Sequence, residues 1–334
     1  MREQVNMHIR AKNELDAFIG IDLGGTKISA VLLDRGGHIV RRNERPTYAE
    51  RGVDAVIRQI TDGIDSLFSG NGPSFHPSIM GIGVATAGVL DSANGIVKFA
   101  ANLRWKEVAL GPFLSARYRC PVRLYNDANA AAFGEWQMGA GIGTDNCLYV
   151  TVSTGIGCGI ISGGRLITGV EDSAGELGHI SIDSNGPRCS CGNYGCLERY
   201  CSGTAIARIA SEQVRLMKVD AALISKLAGN DPEAVTALTV AKAAELQDPL
   251  ALRLLREAGT ALGIGIVSVI HLLNPEVVII GGGAANIGEP LLEPMRAVVR
   301  ERGISSMTAN VKMVWSALGK DAGMIGAAAL IMGE

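Results

Sequence analysis

Two short hairpins punctuate this chain, one in each half, and each turns on glycine after an apolar strand. The first runs Ala17–Leu23, then Gly24-Gly25-Thr26-Lys27, then Ile28–Leu33. The second runs Leu148–Val152, then Ser153-Thr154-Gly155-Ile156-Gly157, then Cys158–Ile161. Short apolar runs broken by glycine read as buried strands joined by turns. A unit that occurs in both halves of a 334-residue chain predicts two related lobes and not one core. Around the first hairpin a third strand is expected near His38–Arg42. Val53, Ile57, Ile60, Ile64 and Phe68 recur at helical spacing, and Ile79–Val84 reads as a buried strand. Ala128–Met138 reads as a helix. Gly203 to Leu273 is mostly helical, and a strand at Val277–Ile280 ends in Gly281-Gly282-Gly283. A helix near Pro290–Arg300, a strand at Val311–Trp315 and an Ala- and Gly-rich helix at Ala322–Met332 complete an α/β pattern. The expected division is a tail over 1–16, a smaller lobe over 17–126 joined by 322–334, and a larger lobe over 127–321.

Composition narrows the class of function. Hydrophobic residues make up 47% of the chain and charged ones 19%, a balance that suits a packed globular protein. Net charge is −2 with acids and bases interspersed, so neither a nucleic-acid groove nor a membrane-surface patch is expected. No apolar run is long enough to span a bilayer, and Met1–Asp16 lacks the apolar stretch of a signal peptide. The cysteines are Cys120, Cys147, Cys158, Cys189, Cys191, Cys196 and Cys201, an odd and clustered set. Without an export signal they point to the reducing cytoplasm and to metal ligation or free thiols.

Asp22-Leu23-Gly24-Gly25-Thr26-Lys27 has the parts of a phosphate-binding turn. The glycines let backbone N–H groups face an anion, and Thr26 adds a hydroxyl. Asp22, at the strand end, suits Mg²⁺, which prefers oxygen ligands. The plain alternative is a Gly-Gly hairpin. The spacing is not that of a Walker A loop, and no Gly-x-Gly-x-x-Gly follows a strand, which disfavours an NAD enzyme. The turn at Thr154 and Gly155 repeats the same logic, and two such turns would grip a triphosphate. In Tyr125-Asn126-Asp127-Ala128-Asn129-Ala130 a strand ends and a helix begins. Asp127 is there either as the helix N-cap or as the general base of a phosphoryl transfer.

The densest signal is His179 followed by Cys189-Ser190-Cys191-Gly192-Asn193-Tyr194-Gly195-Cys196. Three thiolates and one imidazole complete a tetrahedral zinc shell with no open position, so this zinc is expected to be structural. Reduced surface thiols or a disulfide are the alternatives. Glu176, in Glu176-Leu177-Gly178-His179, and Glu198 flank the cluster. A metal that fixes this loop also fixes both carboxylates, which can accept hydrogen bonds from sugar hydroxyls. Each taken alone would read as a solvated charge.

Together these residues resemble the ROK family of repressors, open reading frames and kinases, from about Phe18 to the last helix. The motifs that carry the resemblance are Asp22–Lys27, Asn126-Asp127, Glu176-x-Gly178-His179 and Cys189-x-Cys191-Gly192-x-x-Gly195-Cys196-x-Glu198. The resemblance implies two actin-like, ribonuclease-H-like lobes with mixed sheets flanked by helices, closing around ATP and a sugar. It implies that Asp127 takes the proton of the sugar's C6 hydroxyl. Asn126, Glu176, His179 and Glu198 would hold other hydroxyls, with His179 also ligating zinc through its second ring nitrogen. Gly24, Gly25, Thr26, Lys27, Thr154 and Gly155 would surround the phosphates, and Gly281, Gly282 and Gly283 would lie near the adenosine. A homodimer or homotetramer is implied as well.

Two segments bear on the sugar. Thr86-Ala87-Gly88-Val89-Leu90-Asp91 and Ala101-Asn102-Leu103-Arg104-Trp105 resemble the glucokinase branch, with Asn102 bonding a ring hydroxyl. Val89 stands where N-acetylmannosamine kinases often carry arginine. The second run departs from the branch's pattern, with Ala101 in place of proline and one residue fewer before Trp105. The expected reaction is therefore ATP-dependent phosphorylation of glucose, with N-acetylmannosamine or N-acetylglucosamine as alternatives. A sugar-responsive regulator is the competing class. Its family members carry a DNA-reading domain ahead of the kinase-like body, whereas only a short tail precedes the first strand here. The presence of Asp127, Glu176 and Glu198 also argues for an enzyme.

Overall fold

The computed structural model describes residues 16–69, 78–283 and 287–333. The tail expected over 1–16 lies outside them except for Asp16, which already belongs to the first strand. The chain forms two compact units, Met1–Gly139 with Thr168–Ala174 and Asp321–Glu334, and Ala140–Ile167 with Gly175–Lys320.

In the first unit the strands are β1 (Asp16–Leu23), β2 (Lys27–Asp34), β3 (Ile39–Pro46), β4 (Ser78–Thr86), β5 (Val89–Asp91), β6 (Ile96–Ala100), β7 (Trp105–Val108) and β8 (Val122–Asn126). The main sheet has the order β3-β2-β1-β4-β8, and β5, β6 and β7 make a small separate sheet. β1, β2 and β3 pair antiparallel in sequence, whereas β1–β4 and β4–β8 are parallel. β2 is buried along nearly its whole length, as a strand covered on both faces must be. β3 is an edge strand and carries Arg41, Arg42, Glu44 and Arg45, charges that keep an open edge from pairing with another chain.

The second unit repeats this plan. β9 (Cys147–Val152), β10 (Ile156–Ser162), β11 (Arg165–Leu166), β12 (Val277–Gly281) and β13 (Lys312–Trp315) lie in the order β11-β10-β9-β12-β13. β9, β10 and β11 are antiparallel, and β9–β12 and β12–β13 are parallel. The repeat read from two hairpins thus extends to five strands in the same order and sense. Helices of this unit, including Gly203–Arg215 and the 25-residue Pro249–Leu273, bury one apolar cluster with β9, β10 and β12. Among the described residues no helix is long and apolar enough to cross a membrane.

The division does not fall at residue 127. The Asp127–Met138 helix belongs to the first unit, where it packs against the C-terminal helix Ala322–Met332. Both helices are rich in Ala and carry glycine where they meet, so their backbones approach closely. A Cβ on Gly326 would run into the Ala130 carbonyl, one on Gly20 into the Met324 carbonyl, and one on Gly83 into the Ala327 carbonyl. The C-terminal helix is therefore pressed against β1, β4 and the Asp127 helix, the elements that end at the candidate site. Gly326→Ala is expected to cost about 2–3 kcal/mol through this overpacking, read as a lower urea midpoint. An unchanged midpoint would contradict the close approach.

Candidate active site and metal centre

In the first unit, β1 carries Asp22 and ends at Leu23, and the chain turns through Gly24, Gly25 and Thr26 into β2. The Gly24 N–H donates to the Lys27 carbonyl at 3.0 Å, closing the turn. Thr47, fully buried, holds it from the end of β3: its hydroxyl donates to the Gly24 carbonyl at 2.6 Å and its N–H to the Thr26 carbonyl at 3.0 Å. Thr86, also fully buried, donates its hydroxyl to the Leu23 carbonyl at 3.2 Å. Thr26 is exposed. The Lys27 ammonium pairs with Glu44 at 3.0 Å. On the other side, a Cβ at Gly25 would sit 2.8 Å from the Asn102 carbonyl oxygen and 3.0 Å from its Cβ. The turn expected to meet phosphate and the expected sugar residue Asn102, which lies exposed on a 3₁₀ turn over Ala101–Leu103, are thus in contact.

Asp127 opens its helix but does not cap it. The cap is Asn126, whose side chain accepts the N–H groups of Ala128 and Asn129 at 3.0 and 3.1 Å. Asp127 sits at the first helical position with one carboxylate oxygen 2.9 Å from the Ala128 N–H. Burial raises its pKa, and the backbone N–H groups of Ala128 and Asp127 oppose the shift. Asp22 is pushed up to about 6 by burial first and by the charge of Asp127 second, with Lys27 only partly offsetting them. The C-terminal helix closes on the same carboxylate, since a Cβ at Gly323 would lie 3.0 Å from an Asp22 oxygen. Two carboxylates short of positive charge suit a cation and a proton acceptor.

In the second unit the β9–β10 turn is closed by the Ser153 N–H donating to the Gly155 carbonyl at 2.9 Å. Thr154 is exposed and Gly155 is half-buried. The Glu198 carboxylate accepts the Ile156 N–H at 3.0 Å and occupies the space where a Gly155 side chain would be. Glu198 is thereby locked to the turn expected to meet phosphate, a link that its sequence position did not reveal. At the end of β12, Gly281 packs on the Tyr149 ring. Gly282 has φ 87° and lies against the Val152 carbonyl, and Gly283 is exposed with open space beside it.

The four expected metal ligands converge. One donor atom from each of His179, Cys189, Cys191 and Cys196 falls within a cluster spanning at most 4.8 Å. The His179 Nδ1 lies 3.7 Å from the Cys189 Sγ, and the Cys191 and Cys196 sulfurs are 3.6 Å apart. A tetrahedral zinc places sulfurs about 3.8 Å apart and sulfur about 3.5 Å from nitrogen, so the set fits zinc. The loop is shaped by the Cys189 N–H donating to the Asn193 carbonyl at 2.7 Å and by positive φ at Gly192 and Gly195. Burial alone would raise the Cys189 thiol, but the Cys191 N–H and the neighbouring thiols and imidazole bring it down to about 7. The His179 Nε2 lies 3.8 Å from the Glu176 carboxylate. One imidazole thus places one nitrogen at the cysteine cluster and the other toward Glu176.

A family model described as "ROK family" matches residues 18–334. The chain is 39% identical over 314 residues to a glucokinase of Thermotoga maritima, covering 94% of this chain and 96% of that one. It resembles the crystal structure of a ROK family glucokinase from Streptomyces griseus in complex with glucose and AMPPNP, with TM-score 0.80, 33% identity and coverage of 94% and 98%. It also resembles a ROK family transcriptional regulator, a homolog of the E. coli MLC protein, with TM-score 0.81, 30% identity and coverage of 96% of this chain and 78% of that one.

Proposed function

The chain belongs to the ROK family, and from that premise we propose that it moves the γ-phosphoryl group of ATP to the C6 hydroxyl of glucose. It is an ATP-dependent hexose kinase, similar over nearly its whole length to glucokinases. The observation that carries the mechanistic reading is the pair of carboxylates, Asp22 and Asp127, held short of positive charge beside a glycine turn.

Asp127 is the general base. Its carboxylate takes the proton of the sugar hydroxyl as that oxygen bonds to the γ-phosphorus. The bond from phosphorus to the β–γ bridging oxygen breaks, ADP departs, and the proton passes on to water. The raised pKa of Asp127 makes it a stronger base than a free carboxylate. Asp22 would hold Mg²⁺, which supplies charge neutralisation on the triphosphate. Gly24, Gly25, Thr26 and Lys27, and Thr154 and Gly155, receive the phosphates, and Gly281, Gly282 and Gly283 the adenosine. Asn102, Asn126, Glu176, His179 and Glu198 hold the sugar hydroxyls. His179, Cys189, Cys191 and Cys196 would hold zinc as a structural ion, since four protein ligands would leave no position for water. A homodimer or homotetramer is part of the same reading, as is the cytoplasm, whose reducing conditions suit seven cysteines with no disulfide among them.

An ADP-release assay with ATP and Mg²⁺ across glucose, N-acetylmannosamine, N-acetylglucosamine, mannose, fructose and allose tests the substrate. Glucose is expected to be preferred by at least about tenfold in kcat/KM, the scale set by one or two hydroxyl contacts. Preference for an N-acetyl sugar would overturn the roles given to Asn102 and Val89. No turnover with any sugar would favour a regulator, the class of one structural relative.

A further inference from the structure

We infer that Thr47 is a positioning residue for nucleotide binding, fixing which way the peptides of the Gly24–Lys27 turn face. The inference rests on the reading that this turn receives the phosphates of ATP. A peptide between two glycines can flip at little cost, because neither residue has a Cβ to restrict it. If the Gly24–Gly25 peptide flipped, its carbonyl would face an anion in place of its N–H. Thr47 bears directly on that flip. Its hydroxyl holds the Gly24 carbonyl at 2.6 Å, and its N–H holds the Thr26 carbonyl at 3.0 Å.

In a planar trans peptide the N–H points opposite to the C=O. Fixing the Gly24 carbonyl therefore fixes the Gly25 N–H, and fixing the Thr26 carbonyl fixes the Lys27 N–H. Both carbonyls are turned toward Thr47, so neither lone pair opposes a phosphate. Thr47 is fully buried, so no water can replace its hydroxyl without the fold opening. The hydroxyl is placed where β3 ends, one residue past the Lys27–Pro46 pair of the β2–β3 ladder. The strand pairing thus sets the position of the clamp. Asn102 also abuts Gly25, but through its carbonyl and Cβ and not through a hydrogen bond that selects a peptide orientation.

The test compares Thr47→Val, Thr47→Ala and Thr47→Ser with the unaltered protein, reading KM for ATP, KM for glucose, kcat and Tm. Val and Ala remove the hydroxyl and are each expected to raise KM for ATP about tenfold, while KM for glucose stays within about threefold. Ser restores the hydroxyl without the methyl and is expected to return KM for ATP to within about twofold of the original. Ala guards against a Val variant that fails to fold, since it adds nothing beside the Gly24 carbonyl. An unchanged KM for ATP in the folded Val or Ala variant would overturn the inference. So would equal rises in both KM values with no recovery in Ser, which describes a general loss of packing. Gly25→Ala tests the underlying reading separately. If it leaves KM for ATP unaltered, the turn does not meet the phosphates and both readings fall. If it raises KM for ATP while Thr47→Ala does not, only the Thr47 assignment falls.

Discussion

Asp127→Asn is expected to lower kcat by about 10³-fold, within the ~10²–10⁴ range of a lost general base, while glucose still binds with a Kd within about threefold. The amide keeps the shape and one oxygen to accept the Ala128 N–H, a bond now made at 2.9 Å. It cannot take a proton from a hydroxyl. The helix should start as before, because its N-cap is Asn126. The exchange should also stabilise the fold at neutral pH. Burial raises the pKa of Asp127, and burial with the Asp127 charge raises Asp22 from 3.8 to about 6. The folded chain therefore binds these protons more tightly than the unfolded chain. For Asp22 the resulting stability is fully present below pH 3.8 and is lost as pH rises through about 6. Above that pH the ionised pair is a liability, and removing one charge relieves it. Tm at pH 7.5 should hold or rise in the Asn variant, and the decline of Tm with rising pH should flatten. A variant with kcat within about tenfold of the original would remove Asp127 from the base role. A variant that loses activity and Tm together would show a residue needed for the fold instead.

What the sequence made legible was chemistry packed into short spacings. His179 and the three cysteines lie within 18 residues, from 179 to 196, so ligand type and spacing sufficed and the structure brings all four together. The two glycine turns were readable for the same reason. Local rules could not decide between Asn126 and Asp127, because both residue types are favoured caps. The choice depends on which side chain reaches the next N–H groups. The Asp127–Met138 helix falls on the other side of the division from the one its sequence suggests, because an Ala-rich helix carries little apolar contrast between its faces. Its partner, Ala322–Met332, comes almost two hundred residues later. Thr47 and Gly323 are invisible as site residues in the sequence, because each acts on the site by contacts with residues far away in sequence and nothing in its own neighbourhood marks it. Thr86 opens a segment that the sequence does mark, but its bond to the Leu23 carbonyl is equally non-local. The small sheet of β5, β6 and β7 was missed because its strands are three to five residues long, too short to show alternation.

Cys191→Ser is expected to take bound zinc from about one per chain to near none, and to raise KM for glucose about tenfold or more while KM for ATP changes less than about threefold. Cys191 is exposed, so serine there loses no packing and the effect isolates the metal bond. The asymmetry follows from where the loop ends. His179 is one proposed ligand, and its other nitrogen lies 3.8 Å from the Glu176 carboxylate. Cys196 is another proposed ligand, and Glu198 follows it by two residues and accepts the Ile156 N–H at 3.0 Å. Losing the metal therefore frees three proposed sugar contacts at once. Of the two turns proposed to receive the phosphates, only the one over Thr154 and Gly155 is tied to this loop, through Glu198; the one over Gly24–Thr26 has its own supports in Thr47 and Thr86, so KM for ATP changes less than KM for glucose. The protons of the ligands give a second readout. Without metal the Cys196 thiol is pushed up to about 12, by burial and by the neighbouring thiols, while Cys189 is brought down to about 7. Binding zinc must displace protons from such thiols, so zinc should be released to a chelator faster as pH falls. Chelator-treated protein should match the Cys191→Ser variant in its loss of glucose affinity, and added zinc should restore the chelated protein but not the variant. Metal-free protein with an unchanged KM for glucose would show that the cysteine loop holds its shape unaided and that zinc has no part in the sugar site.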